Sequence, residues 1–232
     1  MAFFIKMRQH VPNIITSLNL LSGCIAALLI LESNYYQALF FIIASGAFDF
    51  CDGLAARLMN VRSPMGKELD SLADVISFGF VPSLVMFTML QTESHSQWLP
   101  YFGFLIVILS AWRLAKFNID ERQSTDFIGL NTPMNTFFII SLPFIRETYP
   151  QLFSSYVLLI ITLLTSYLLI SEIRLFSMKF SGFSWKENKF RFLFLLISLI
   201  FLIFLKILAI PLILFFYFLF SALHFSQSYS SS

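Results

Sequence analysis

The sequence has little charge, few cysteines and few glycines or prolines. Only 12% of the 232 residues are charged, against about 25% in a soluble globular domain, which excludes a soluble enzyme. The two cysteines, Cys24 and Cys51, both lie in apolar runs, so we exclude a disulfide framework and expect both to be buried as small apolar side chains. The net charge of +2 is too small to indicate nucleic-acid binding. The N-terminal residues lack an apolar core with a cleavage site, so we expect no removable signal peptide.

Apolar residues dominate instead, at 58% of the chain, and the mean hydropathy is +0.80. A membrane-spanning helix needs about 20 apolar residues, and the sequence predicts an all-α, polytopic membrane bundle of about eight such helices. The fifth is expected to be short and interrupted by Pro143, and the last long apolar stretch to break in two near Lys206 and Pro211. The predicted spans are 14–31, 36–58, 69–90, 98–117, 133–145 and 152–170, followed by two within 192–225.

The distribution of basic residues predicts the orientation. With the N-terminus inside, every Lys and Arg except Arg146 and Lys206 falls on the inner side, as expected for cytoplasmic segments. We therefore expect a multi-pass protein of the bacterial inner membrane with both ends in the cytoplasm. Residues 1–146 are interpreted as a catalytic core and 147–225 as C-terminal helices that complete the bundle. The serine-rich residues 226–232 are expected to be disordered.

Four aspartates, Asp49, Asp52, Asp70 and Asp74, lie in or beside the second and third spans. Carboxylates are costly there unless a cation lies between them. Asp49 and Asp52 share one helical face, and Asp70 and Asp74 share a face of the next helix. Two helices joined by a short polar turn can bring these faces together. Ligands that are all oxygen favour Mg²⁺, Mn²⁺ or Ca²⁺ over Zn²⁺.

Small residues accompany the acids on the same two faces. Gly53, Ala56 and Gly66 leave room for a ligand against the backbone, and Arg57 and Ser63 could donate hydrogen bonds to a phosphate. Small residues in a span are usually helix-packing positions, and a lone Asp is usually solvated. Their combination at one register favours a binding site at the cytoplasmic surface.

These residues form the pattern D-x-x-D-G-x-x-A-R, eight residues, then G-x-x-x-D-x-x-x-D, from Asp49 to Asp74. The pattern resembles the complete signature of the CDP-alcohol phosphatidyltransferases. The resemblance implies a helical membrane fold, a homodimer, and a cytoplasmic active site with two divalent ions. These would be Mg²⁺ or Mn²⁺, with Ca²⁺ as a replacement in crystals. It also implies transfer of a substituted phosphate group, here phosphatidyl, from a CDP-linked donor to an alcohol, with release of CMP.

The resemblance also implies a role for each matching residue. Asp49, Asp52 and Asp70 would bind metal, and Asp74 would both share in metal binding and act as the general base. For Asn13 and Thr16 a role at the start of the first helix is an alternative to nucleotide contact. The residues implied to contact the nucleotide or the lipid phosphate are Asn13, Thr16, Asp52, Gly53, Ala56, Arg57, Ser63 and Gly66.

Four segments resemble the phosphatidylserine synthase branch of this family. They are P-N-I-I-T-S-L-N (12–19), G-K-E-L-D-S-L-A-D-V-I-S-F-G-F-V-P (66–82), W-R-L-A-K-F-N (112–118) and F-I-G-L-N-T-P (127–133). In the last segment Asn131 stands where that branch usually has proline. This resemblance implies that CDP-diacylglycerol is the donor and the side-chain hydroxyl of L-serine the acceptor.

A serine acceptor needs a cation for its carboxylate. Arg113 or Lys67 could supply it, although anchoring at the inner surface is an alternative for both, and Asn118 lies just beyond Arg113. Glu68 and Ser77 are further candidates. A phosphatidylglycerophosphate synthase is a rival interpretation, but its glycerol 3-phosphate should require more basic residues. A cation carrier is another, but carriers often show repeated halves, whereas these acids cluster once.

Overall fold

The computed structural model describes residues 2–61, 63–120, 126–178 and 185–230. Within them the predicted all-α membrane bundle is confirmed. Two two-residue strands, β1 (Phe127–Ile128) and β2 (Arg174–Leu175), pair antiparallel. The α-helices are α1 (Ala2–Leu31), α2 (Tyr35–Leu58), α3 (Pro64–Asp74), α4 (Val81–Glu93), α5 (Leu105–Ile119), α6 (Thr132–Thr148), α7 (Ser155–Ile170), α8 (Trp185–Leu205) and α9 (Ala209–Ser230).

Short helical segments extend or connect several of these helices. Val75–Phe80 is a π-helix that joins α3 to α4 without a break, and we call it the π-turn. Three 3₁₀ segments, at Leu99–Phe104, Pro150–Leu152 and Lys206–Leu208, precede α5, α7 and α9. Counting α3 to α4 as one continuous helix, the described residues contain eight helical stretches, the number expected from the sequence.

Among the described residues, five stretches are long and apolar enough to cross a membrane by length and composition alone. The last of them contains both α8 and α9, whereas α7 is apolar but shorter. Lys206 has a φ of 52°, a left-handed conformation that ends α8, so the predicted break near this residue is confirmed. The five stretches are His10–Leu31, Tyr35–Leu58, Pro64–Glu93, Leu99–Ile119 and Asn188–Ser226.

The structure corrects three expectations from the sequence. Helix α6 continues through Pro143 to Thr148 instead of being interrupted there, because surrounding packing outweighs the cost of one proline. Cys24 and Cys51 are unpaired as expected but exposed rather than buried, since each lies on an outer helix face. Helix α9 continues through Ser230, past the point where a disordered tail was expected, and residues 231–232 lie outside the described residues.

The connection between α2 and α3 is built from residues suited to a tight helical turn. Asn60 adopts a φ of 52° just after α2, a conformation that asparagine tolerates better than most residues. The Ser63 hydroxyl then accepts a hydrogen bond from the Gly66 amide at 3.3 Å, and Pro64 occupies the first turn of α3, where its missing N–H costs nothing. This N-cap starts α3 at Pro64, after a connection of five residues from the end of α2 at Leu58.

The buried residues in the part of the chain that the structure describes form two apolar clusters. The larger lies among α1, α2, α4, α5, α6 and α7 and includes Ile42, Met86 and Ile139. The smaller joins α8 and α9 to Leu130 and to the β2 segment, residues 171–178. Within the smaller cluster, Tyr217 donates to the backbone oxygen of Phe176 at 2.9 Å, and the Phe176 amide donates to Ser221. The C-terminal hairpin therefore holds the β2 segment against the rest of the bundle.

Candidate active site

Three of the four aspartates meet at one point between α2 and α3. One carboxylate oxygen each from Asp49, Asp70 and Asp74 lies within 4.8 Å of the others. Among the described residues, the buried Oδ1 of Asp70 has no hydrogen-bond partner. An all-oxygen donor set with an unpartnered buried oxygen fits a hard divalent cation such as Mg²⁺ or Mn²⁺. The predicted meeting of the two helix faces is therefore confirmed.

Asp52 lies one helical turn from Asp49 but is not part of this group of three. Its Oδ2 accepts a hydrogen bond from the Thr16 hydroxyl of α1 at 2.6 Å, and Thr16 also bonds the backbone oxygen of Pro12. The buried Asp52 side chain lines the neighbouring cavity. Thr16 thus links α1 to the acid-bearing helix, beyond the nucleotide contact implied for it, and metal binding by Asp52 stays a prediction.

A buried polar network supports Asp74 from α1. Asn19 donates from Nδ2 to Asp74 Oδ1 at 3.2 Å, and its own Oδ1 accepts from Ser45 of α2. Ser77, in the π-turn, donates to the backbone oxygen of Asn19 at 3.1 Å. Asn19 and Ser45 were missed as site residues. The available signal was that Asn19 follows Thr16 at a spacing of three residues in an apolar run, which places both on one helix face.

A glycine allows α1 to approach this network. A methyl group on Gly23 would lie 2.3 Å from Ser77 Oγ and 2.9 Å from Ser77 Cα. No side chain fits at that distance, so the π-turn and α1 are in backbone contact here. The close approach allows Ser77 to bond the backbone of Asn19, whose side chain bonds Asp74.

A cavity of about 570 Å³ opens beside the carboxylates, between α1, α2 and α3. It has the size of a small-molecule site, and its walls combine apolar residues with polar groups. Of the eight residues implied to contact the nucleotide or the phosphate, seven line it. The lining residues are Pro12, Asn13, Thr16, Asp52, Gly53, Ala56, Val61, Ser63, Pro64, Gly66, Lys67 and Asp70.

Arg57 is the residue of that set that does not line the cavity. Its Nε donates to the backbone oxygen of Gly53 at 3.0 Å, and its side chain is exposed. A methyl group on Gly53 would have open space on its cavity side, with Arg57 Nη2 as its nearest neighbour at 4.0 Å. The guanidinium therefore lies at the edge of the cavity, next to the position that the missing Gly53 side chain leaves open.

The three residues suggested for serine lie in different surroundings. Lys67 lines the cavity but is exposed, and its Nζ donates to the backbone oxygen of Asn118 at 2.7 Å. The Asn118 side chain donates to Ser71 of α3 at 2.8 Å. Arg113 is only 7% exposed, its Nε has no hydrogen-bond partner among the described residues, and it interacts electrostatically with Asp74. Lys67 and Asn118 thus join α3 to α5, and Arg113 retains unused donor capacity beside the acids.

The sequence matches the model of the CDP-alcohol phosphatidyltransferase family over residues 9–223. Three similar proteins carry the name CDP-diacylglycerol–serine O-phosphatidyltransferase. The one from Bacillus subtilis (strain 168) is 35% identical over 170 residues, covering 72% of this chain and 89% of that protein. The one from Saccharomyces cerevisiae is 41% identical over 129 residues, 52% of this chain and 45% of that protein. The one from Helicobacter pylori (strain 26695) is 28% identical over 208 residues, 86% of this chain and 84% of that protein. Because the family match covers most of its length, the chain belongs to the CDP-alcohol phosphatidyltransferase family.

Proposed function

We propose that the protein transfers the phosphatidyl group of CDP-diacylglycerol to the side-chain hydroxyl of L-serine, giving phosphatidylserine and CMP. The observation that carries the proposal is the meeting of Asp49, Asp70 and Asp74 beside a 570 Å³ cavity. The names of the three relatives support serine as the acceptor.

The carboxylates of Asp49, Asp52, Asp70 and Asp74 would hold two divalent ions, Mg²⁺ or Mn²⁺. Bound ions would neutralise the charge of the pyrophosphate and stabilise the leaving CMP. Among the described residues no other group of three or more acids, cysteines or histidines gathers in this way. The donor set fits the metals implied for the family.

The cavity supplies a site for the donor. Its apolar wall, including Pro12, Val61 and Pro64, suits a nucleoside ring, and Gly53 and Ala56 let a ligand reach the backbone of α2. The Ser63 oxygen already accepts from the Gly66 amide, so its hydroxyl proton remains available for a phosphate oxygen.

We propose Asp74 as the general base. Its Oδ1 accepts from Asn19, which fixes the orientation of the carboxylate and leaves Oδ2 to receive the proton of the serine hydroxyl. The serine Oγ then forms a bond to the phosphorus of the phosphatidyl group. The bond from that phosphorus to the CMP oxygen breaks, and CMP leaves with the electron pair.

Arg113 is the best-supported partner for the serine carboxylate. A guanidinium bonds a carboxylate through two parallel N–H groups, and this one is buried, close to Asp74 and incompletely paired. Lys67 and Asn118 already bond across α3 and α5. We therefore assign them to positioning these helices around the pocket.

The asymmetry of the basic residues supports a cytoplasmic orientation of the site. The bacterial inner membrane is the membrane that we propose. Arg146 of α6 pairs with Glu93 of α4 at the opposite end of the bundle, as expected for an outward-facing residue. The homodimer implied by the family is a further part of the proposal, testable by cross-linking in membranes.

The test uses the purified protein in detergent with CDP-diacylglycerol, Mn²⁺ or Mg²⁺ and one acceptor at a time. We expect phosphatidylserine and CMP from serine, and loss of both products when EDTA is added. Product from glycerol 3-phosphate and none from serine would overturn the acceptor and favour a phosphatidylglycerophosphate synthase. Absence of CMP release with any acceptor would favour a carrier.

A further inference from the structure

Four buried residues around the π-turn carry side-chain atoms with no hydrogen-bond partner. Among the described residues these atoms are Oγ of Ser110, Nε of Arg113, Oγ1 of Thr132, and both Nδ2 and Oδ1 of Asn135. Asn135 is 0% exposed. An unpaired buried polar group costs about 1–3 kcal/mol, so a cluster of them needs an explanation.

The two helices that carry these four residues, α5 and α6, both contact the π-turn. On α5, Ser110 touches it closely, since a methyl group on Gly79 would lie 3.1 Å from Ser110 Cβ. On α6, Thr136 donates to the backbone oxygen of Phe78 at 2.8 Å. Asn135 directly precedes Thr136. The π-turn begins immediately after Asp74, so both helices pack against the segment that follows the proposed base.

Within each helix the unpaired residues share a face. Ser110 and Arg113 are three residues apart on α5, and Thr132 and Asn135 are three apart on α6, the spacing of neighbours on one side of a helix. Arg113 lies close enough to Asp74 to interact electrostatically. The unpaired groups therefore lie on one face of α5 and one face of α6, the two helices that contact the π-turn.

Several buried hydroxyls elsewhere in the bundle bond to their own helix, although those of Ser166 and Ser198 do not. Ser83, Thr136 and Thr162 each donate to the backbone oxygen four residues earlier at 2.8 Å. Ser110 and Thr132 make no such bond in the described structure. The Asn135 amide has no equivalent route within its own helix. The side chains of these residues therefore retain hydrogen-bonding capacity that a ligand could use.

We propose that Ser110, Arg113, Thr132 and Asn135 form the acceptor subsite, and that Asn135 recognises the ammonium group of an amino-acid acceptor. This inference rests on the proposed function and extends it from the carboxylate to the whole acceptor. Asn135 Oδ1 accepts from the ammonium, the Arg113 guanidinium bonds the carboxylate, and the hydroxyls of Ser110 and Thr132 complete the shell. The acceptor hydroxyl then faces Asp74.

The first test replaces Asn135 by leucine, which has a similar volume and no hydrogen-bonding group. We expect KM for serine to rise about tenfold or more, because a buried hydrogen bond to a charged group is lost. KM for CDP-diacylglycerol should change less than about twofold, since that substrate contacts other helices. The matched control is Ser198→Ala, which removes an unpaired buried hydroxyl of α8 and should leave both constants unchanged.

An unchanged KM for serine in Asn135→Leu would overturn the proposal. A lower melting temperature with equal losses for both substrates would also overturn it, since it would show that Asn135 is a packing residue. Removal of an unpaired buried amide should instead leave the melting temperature equal or higher.

A second test, inhibition by analogues of serine, does not depend on whether a variant of Asn135 folds. In the unaltered protein, 3-hydroxypropionate lacks the ammonium of serine and ethanolamine lacks the carboxylate. Each should inhibit with a constant at least about tenfold above KM for serine, and Arg113→Lys should narrow the difference for ethanolamine alone. Inhibition constants of both analogues close to KM for serine would contradict the subsite. Release of CMP with serine by the unaltered protein tests the proposed function separately.

Discussion

The helices that carry the acids and the C-terminal hairpin use polar side chains in opposite ways. Around Asp52 and Asp74, hydrogen bonds from Thr16 and Asn19 join residues far apart in the sequence across three helices. In the hairpin of α8 and α9, the buried surface is mainly aromatic and aliphatic. Its polar contacts to the β2 segment come from Tyr217 and Ser221 of α9 and from Arg191 of α8, which donates to the backbone oxygen of Ser177 at 2.8 Å. The difference indicates that the first region is organised for chemistry and the second for support.

Among the substitutions proposed, Asp74→Asn should cause the largest loss of activity. Asparagine keeps an oxygen that can accept from Asn19, so the fold and the binding of CDP-diacylglycerol should persist, but it cannot take a proton. We expect kcat to fall about 10²- to 10⁴-fold, measured as CMP release, with the melting temperature unchanged.

The matched control for Asp74 is Glu32→Gln, an exposed acid just beyond the other end of α1, which should retain full activity. Loss of folding in Asp74→Asn would instead indicate that the carboxylate has a structural role.

Much of the first region could be predicted from the sequence, because the spacing of Asp49, Asp70 and Asp74 on regular helices fixes which residues share a face. The Asn19 network could not be predicted, since a bond between α1 and α3 depends on how the two helices are positioned along each other. The π-turn was also missed. Its one extra residue per turn shifts the register of α4 relative to α3, and no residue type signals it.

In the second region the sequence predicted the break at Lys206 but not the support that the hairpin provides. The two strands contain two residues each, too few for a periodic pattern. Their pairing brings together segments that lie 46 residues apart, Ile128 with Arg174. The loop residue Asn131 is better explained by the structure, because its side chain caps α6 by accepting from the Met134 amide at 2.8 Å.

Gly23→Ala should have an intermediate effect on both stability and activity. The added methyl group would meet Ser77 at 2.3 Å, and overpacking of this kind costs about 1–3 kcal/mol. We expect a lower melting temperature and reduced kcat, because displacement of α1 separates Asn19 from Asp74. Gly46→Ala is the matched control, since its methyl group would meet only Phe137 at 3.8 Å and alanine favours a helix. Equal effects of the two substitutions would show that α1 is not held by this contact.

Tyr217→Phe tests the supporting region and should have the smallest effect. The substitution removes the hydroxyl that donates to the backbone oxygen of Phe176 at 2.9 Å, and a single buried hydrogen bond contributes about 0.5–1.5 kcal/mol. We expect a modest loss of thermal stability in detergent and activity within about threefold of the unaltered protein, because α9 reaches the site only indirectly. Tyr167→Phe on the exposed face of α7 should leave the melting temperature unchanged. A large loss of activity without loss of stability in Tyr217→Phe would place this tyrosine in the site itself, since Tyr217 also interacts electrostatically with Arg113. Helix α9 would then belong in part to the region that carries the chemistry, and not to the supporting region alone.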